Sequence, residues 1–406
     1  MMDRRFFLRD SALAMAGVGL VAPAWLARAA TVAGAAGKRK VLVALFQRGA
    51  MDGLNAVIPF TDKRYQELRP SIAVSAPGQD GGALDLDGSF ALHPALAPLH
   101  RLWKRRQLAV IHAAGSPDPT RSHFDAQDYM ESGTPGLKST RDGWLNRALG
   151  PAPAATPLRA VSMGSRLART MRGSNSAVAI NQIRDFKLRG GAESKDALEA
   201  MYAGTRDADL AAPGRDTFEA MKLIESIDRS PYSPAAGAVY PASPFGRSLQ
   251  QIARLIKADA GVEVAFADIG GWDTHTNESP RLAGLLADFA GSIGAFCTDL
   301  EDRFEDVMLV TMSEFGRTAR ENGNGGTDHG HANAMFVAGG SPALQGGKVH
   351  GKWPGLEPEQ LYESRDLAVT TDFRSVLGDL VSAHLGVADV GRVFPGAAAP
   401  RLGLLG

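Results

Sequence analysis

The chain is poor in several things that would each have pointed somewhere. It has one cysteine, Cys297, in 406 residues, so no disulfide forms within it and stability must come from a buried core. Its formal net charge is 0 and only 7% of its residues are aromatic. Balanced charge offers no long-range attraction to nucleic acid or to an anionic membrane surface, so neither is expected as a partner. Beyond the first thirty positions no apolar run approaches the roughly 20 residues that a membrane span needs. No repeat of fixed period and no long low-complexity tract follows.

What the N-terminus does have is a pattern. Arg4-Arg5-Phe6-Phe7-Leu8-Arg9 precedes an apolar stretch from Ala12 to Leu26, broken by Pro23, and Ala27-Arg28-Ala29 then offers a small-x-small cleavage site. This resembles a twin-arginine export signal, with an N-terminal anchor as the alternative. Residues 1–29 are therefore expected to be a signal peptide, and residues 30–406 to form one α/β domain. The expected location is periplasmic or secreted, with the twin-arginine export machinery as a partner and no stable membrane insertion after cleavage. Removal of 1–29 leaves 40 basic against 42 acidic side chains. Export in folded form suits a protein without disulfides and allows a metal to be loaded inside the cell.

Short aliphatic runs read as buried strands: Val41–Phe46, Leu108–Ala113, Val262–Ile269, Val307–Met312 and Ala334–Ala338. Uninterrupted runs of this length suit a mostly parallel sheet covered on both faces. Ser279-Pro280 opens a helix in which Leu282, Leu285, Leu286, Phe289, Ile293, Phe296, Leu300 and Phe304 recur at three- and four-residue steps. Strand, helix and strand make a βαβ unit. Residues 150–245, rich in Ala, Gly, Ser and Pro, read as a helical excursion or lid.

In open α/β sheets, ligands bind beyond the carboxyl ends of the strands. The segments there are polar: "QRGAMDGLN" from Gln47, "AGSPDPTRSHFDAQDYMESG" from Ala114, "GGWDTH" from Gly270 and "SEFGR" from Ser313. "GGTDHGH", from Gly325, stands just before the last run. Asp, Glu and neutral His are zinc ligands, and manganese, magnesium or calcium would take the same oxygens. Asp273-x-His275 and Asp328-His329-x-His331 are the candidate metal-binding motifs, the second with glycines on both sides that let the backbone fold close. Plain structural roles stand beside these. Asp273 could cap a helix, Asp328 could close an Asx-turn, and Glu314 could pair with Arg317 or Arg320. Ser122 heads a helix-like stretch, either as an N-cap or as a nucleophile facing unpaired N–H donors. Arg121 and Arg317 are candidate clamps for anionic oxygens, or surface charges.

"FQRGAMDGLN", "GGWDTH", "SEFGRTARENGNGGTDHGHANAMFVAGG" and "TTDFRSVL" resemble recurrent blocks of the DUF1501 family, exported relatives of the alkaline phosphatase and sulfatase superfamily. The blocks span residues 41 to about 380. The resemblance implies a three-layer α/β/α sandwich, alkaline phosphatase-like, with metal ligands at strand carboxyl ends. It implies Asp52 as the first-strand metal aspartate, Ser122 as nucleophile, and Asp273 and His275 in one metal site. His331, or His329, resembles the late histidine of that site, and Glu314 falls where relatives carry an aspartate. Phe315 stands where a relative has a metal-binding histidine, so a second site would be weak, recruit Asp328 or His123, or be absent. A sulfatase is disfavoured, since the Ser122 loop lacks the Cys/Ser-x-Pro-x-Arg context.

The expected function is a metal-dependent hydrolase, with one or two divalent ions, acting on a small or polymeric anionic ester. Ser122 would attack, with Arg121 or Arg317 neutralising oxygens. The alternative is a non-catalytic exported binding or envelope protein with a degenerate metal site.

Overall fold

The computed structural model describes residues 39–150, 156–186, 197, 199–202, 208–397 and 400–406. The expected signal peptide lies outside these residues.

The first strand, β1 (Val41–Arg48), shows how the core is divided. Its side chains alternate, with Val41, Val43 and Leu45 entering one apolar cluster and Leu42, Ala44 and Phe46 the other. A strand with period-2 geometry that is apolar at every position must be covered on both faces. One face is covered by helices α3 (Ala97–Lys104), α6 (Ala208–Arg229), α7 (Pro244–Lys257) and α8 (Glu278–Asp299). The other is covered by α5 (Trp144–Ala148), α9 (Phe373–Asp379) and the C-terminal segments that carry Val393, Phe394 and Leu404. The architecture is an α/β/α sandwich, as expected.

Helix α8 sends Leu282, Leu286, Phe289, Ile293 and Phe296 into the first cluster at helical spacing. It starts at Glu278 after Asn277, which sits in the left-handed region, so Ser279-Pro280 lies within its first turn. Truncating one such residue, as in Phe289→Ala, costs about 3–5 kcal/mol through lost transfer energy and the cavity left behind.

Among the described residues the central sheet has nine strands. Besides β1 they are β5 (Leu108–Gly115), β6 (Ala160–Met163), β7 (Val178–Ile180), β8 (Val264–Gly270), β9 (Val307–Ser313), β10 (Asn333–Gly339), β11 (Lys348–His350) and β12 (Thr371–Asp372). Their order is β11-β5-β10-β9-β1-β8-β6-β7, with β12 also on β5. A small antiparallel sheet holds β2 (Val57–Ile58), β3 (Leu84–Asp85) and β4 (Ala91–Leu92). No helix among the described residues is long and apolar enough to cross a membrane.

Every ladder of the large sheet is parallel except those of β10, which runs opposite to both β5 and β9. That reversal positions the site. The segment entering β10 arrives at the same rim from which β1, β5, β8 and β9 depart. Asn333 secures the entry, donating to the carbonyls of Met51 and Phe315 at 2.8 Å each.

One expectation needs correction. The stretch 150–245 is not solely a helical excursion: β6 and β7 extend the sheet, and Ile224 of α6 packs in its core. These strands are only four and three residues long, too short for their periodicity to register.

Candidate metal centre

Three segments bring four side chains together at the rim. His123 opens helix α4 (His123–Ser132), after β5; Asp273 and His275 follow β8; His329 precedes β10. One ligand atom from each of His123, Asp273 and His329 lies within 4.8 Å of the others. His329 Nε2 is 3.0 Å from His123 Nε2, 3.0 Å from His275 Nε2 and 3.3 Å from Asp273 Oδ1. His275 Nε2 is also 3.0 Å from Asp273 Oδ1, and His123 Nε2 is 3.7 Å from Asp273 Oδ2.

The far nitrogen of each ring settles its tautomer. His123 Nδ1 meets Glu314 Oε1 at 2.8 Å, His275 Nδ1 meets Asp328 Oδ1 at 3.0 Å, and His329 Nδ1 meets the Arg121 carbonyl at 2.9 Å. All three partners are acceptors, which puts a hydrogen on each Nδ1; a ring that carries no second proton then turns an Nε2 lone pair inward. With all three rings in that form, lone pairs lie 3.0 Å from one another beside a carboxylate, with no proton between them to share. A cation relieves that repulsion. Tetrahedral zinc with ligands at about 2.0–2.1 Å spaces its donors about 3.3 Å apart, close to the separations here. Imidazole-rich donors with one carboxylate suit zinc and its transition-metal neighbours better than magnesium or calcium, which favour oxygen shells.

Supporting contacts hold the donors in place. Buried Glu314 Oε1 accepts from Gly49 N and Gln127 Nε2, each at 2.8 Å, as well as from His123, and Oε2 accepts from Ser313 Oγ at 3.1 Å. Burial pushes its acidity toward the neutral form, but these donors outweigh that and hold it below the usual carboxylate range. The Glu314 bond in turn raises the His123 pKa, whereas burial lowers that of His329. Asp273 is held low because the Arg317 bond and charge overcome its desolvation. Phe315 is buried, its ring centroid 5.0 Å from those of both His123 and His329, so it walls the site where a ligand was expected.

The other expected residues take other parts. Asp52 is buried against Arg69, which it meets through both oxygens while capping helix α1 (Gly53–Ala56); it is not in the cluster. His331 turns away, its Nε2 3.1 Å from the Ser116 carbonyl and its ring on Tyr362. Glu314 and Asp328 stand behind imidazoles instead of among the inward-facing donors. Arg317 is fully buried, donating to the carbonyls of Gly49, Ala50, Trp272 and Thr327 and to Asp273 Oδ1 at 2.6 Å, so its guanidinium is committed to the protein interior. The Arg121 guanidinium is taken by Asp366 and Glu363 at 2.5 and 2.7 Å. Ser122 occupies the N-cap position of α4, but its hydroxyl makes no capping bond and the residue is exposed. The glycines flanking Asp328-His329-x-His331 serve backbone packing: a Cβ at Gly326 would meet His275 at 2.5 Å, and one at Gly330 would meet Arg317 at 2.3 Å. His123 was legible only as a substitute ligand. Its signal was its place next to Ser122 at the mouth of a helix after a buried run.

The family described as "Protein of unknown function (DUF1501)" matches residues 39–395. No curated protein matches. Solved structures with distant similarity include the C-terminal periplasmic domain of EcEptC from Escherichia coli in complex with Zn, at 10% identity and TM-score 0.36, over 76% of this chain and 74% of that one. The lipoteichoic acid synthase LtaP from Listeria monocytogenes is similar at 9% identity and TM-score 0.34, over 76% of this chain and 67% of that one. A protein in the alkaline phosphatase superfamily from Vibrio parahaemolyticus is similar at 11% identity and TM-score 0.33; the match spans 75% of this chain but only 61% of that one.

Proposed function

This chain belongs to the DUF1501 family, and on that premise we propose that it is an exported metal-dependent hydrolase of a phosphate or related anionic ester. The observation that carries this reading is the convergence of the His123, His275 and His329 Nε2 atoms and the Asp273 carboxylate, each Nδ1 held by an acceptor. His123, Asp273 and His329 would hold a divalent ion, zinc by donor type, with His275 completing the set. Such an ion supplies Lewis acidity that stabilises charge developing on ester oxygens.

The chain's own residues supply the rest. Ser122 presents a hydroxyl unused in capping, between Arg121, whose carbonyl orients His329, and His123. Its Oγ would bond to phosphorus as the ester P–O bond breaks, the serine proton passing to solvent and the leaving alkoxide taking one back. Water would then cleave the seryl phosphate. Phe315 packs against both imidazoles.

The test is hydrolysis of phosphate mono-, di- and sulfate esters by the zinc-loaded chain beside Ser122→Ala and His329→Ala. Activity lost in both supports the reading; Ser122→Ala as active as wild type removes the nucleophile. One observation favours a second reading, a metal-braced binding protein without catalysis: both candidate arginine clamps, Arg121 and Arg317, are already engaged. Stoichiometric metal with no ester cleaved would favour it.

A further inference from the structure

Beneath the cluster lies a buried carboxyl that the reading above does not use. Glu278 is fully buried at the start of helix α8. Its Oε2 accepts from Thr274 Oγ1 at 3.2 Å and Thr327 Oγ1 at 2.5 Å, and its Oε1 accepts from Asn55 Nδ2 at 3.3 Å. Thr274 lies between Asp273 and His275, and Thr327 lies two residues before His329. The backbone repeats the link: Glu278 N donates to Gly325 O at 2.8 Å, and Thr327 N donates to Thr274 O at 3.2 Å.

We propose that Glu278 is a positioning residue for the metal centre: its single carboxyl ties the loop carrying Asp273 and His275 to the loop carrying His329. The proposal rests on the metal reading above for its effect on affinity, but not for its effect on the loops.

The charge state follows from the neighbours. The ionisable and charged groups facing Glu278 are Asp52, Arg69, Tyr65 and, near Asp52, Arg317; Asn55, Thr274 and Thr327 complete the surround. Arg69 is bound to Asp52 through both carboxylate oxygens and donates its remaining bonds to the Thr318 and Ala319 carbonyls. Two carboxyls buried side by side do not both ionise readily, so one of Asp52 and Glu278 keeps a proton. With the Arg69 charge matched to Asp52, that proton belongs on Glu278. Burial, then the Asp52 charge, push its pKa up to about 9. Asp52 stays ionised, since the Arg69 charge overcomes its desolvation. Glu278 is thus a neutral hydrogen-bonding bracket, and a carboxamide can replace it.

Cobalt(II) titration of the whole metal-free chain, read by visible absorption, tests this beside amide hydrogen exchange over residues 270–275 and 325–331. Glu278→Gln should bind cobalt within about threefold of wild type and keep slow exchange. Glu278→Ala should weaken binding about 10–100-fold, the range for residues that orient metal ligands, and speed exchange in both loops. Cobalt affinity and exchange unchanged in Glu278→Ala would overturn the proposal, as would Glu278→Gln behaving like Glu278→Ala. A wild-type chain that binds no cobalt removes the metal reading alone; the exchange contrast between Gln and Ala then still decides whether Glu278 ties the loops.

Discussion

Two polar clusters lie one above the other in this molecule, and they differ in completeness. In the lower one, Asp52, Arg69, Glu278, Asn55 and Tyr65 are buried, and their donors and acceptors answer each other. In the upper one, at the rim, inward-facing atoms of His123, His275, His329 and Asp273 are all acceptors, while their outward-facing nitrogens are fully matched. A closed network braces a fold. A set of lone pairs aimed at one point asks for a cation from outside. The contrast separates the expected metal ligands that became structure from those that remained available.

Breaking the lower cluster should have the largest effect. Arg69→Met removes the cation bound through both oxygens to buried Asp52 and should cost about 3–5 kcal/mol in urea unfolding. In the upper cluster, His329→Ala should lower zinc affinity by more than 100-fold, or about 2.7 kcal/mol, read by calorimetry, while the metal-free fold keeps its stability. Acid–base behaviour sharpens the comparison. Glu278 holds its proton up to about 9 when folded against an ordinary 4.5. Its contribution to stability is therefore full below about 4.5 and is lost as pH climbs toward 9, at no more than about 1.4 kcal/mol per pH unit. Asp52 is shifted the other way, so its contribution is lost only as pH falls below its ordinary range. Urea midpoints from pH 5 to 9 should therefore fall for wild type and stay flatter for Glu278→Gln. The smallest effect is expected at Ser122. A serving N-cap serine contributes about 1 kcal/mol, but this hydroxyl caps nothing, so Ser122→Ala should change unfolding by less than about 0.5 kcal/mol.

The sheet's inner strands were legible because they are buried on both faces and read as plain apolar runs: the runs from Val41, Leu108, Val307 and Ala334 lie within β1, β5, β9 and β10. The direction of β10 was not legible, since an apolar run looks the same both ways. At the site, residue type identified the histidine-rich turn but not which imidazole faces inward; His331 is diverted by Tyr362 and the Ser116 carbonyl, partners distant in sequence. Arginines are mostly exposed, so composition argued against a fully buried Arg317. Only the folded chain shows its carbonyl partners, drawn from three separate rim segments, around that guanidinium. Asp52 was misread for a related reason. Its pairing with Arg69 depends on a helix that no metal pattern would single out.

On the proposed reading, the inward-facing donors at the rim hold an ion. Elemental analysis of the whole purified chain, repeated after chelation and exposure to zinc, addresses it directly. About one tightly held transition-metal ion per chain, absent from His329→Ala and retained in His331→Ala, is the predicted result. A wild-type chain that carries no such ion and takes up none from zinc would contradict it.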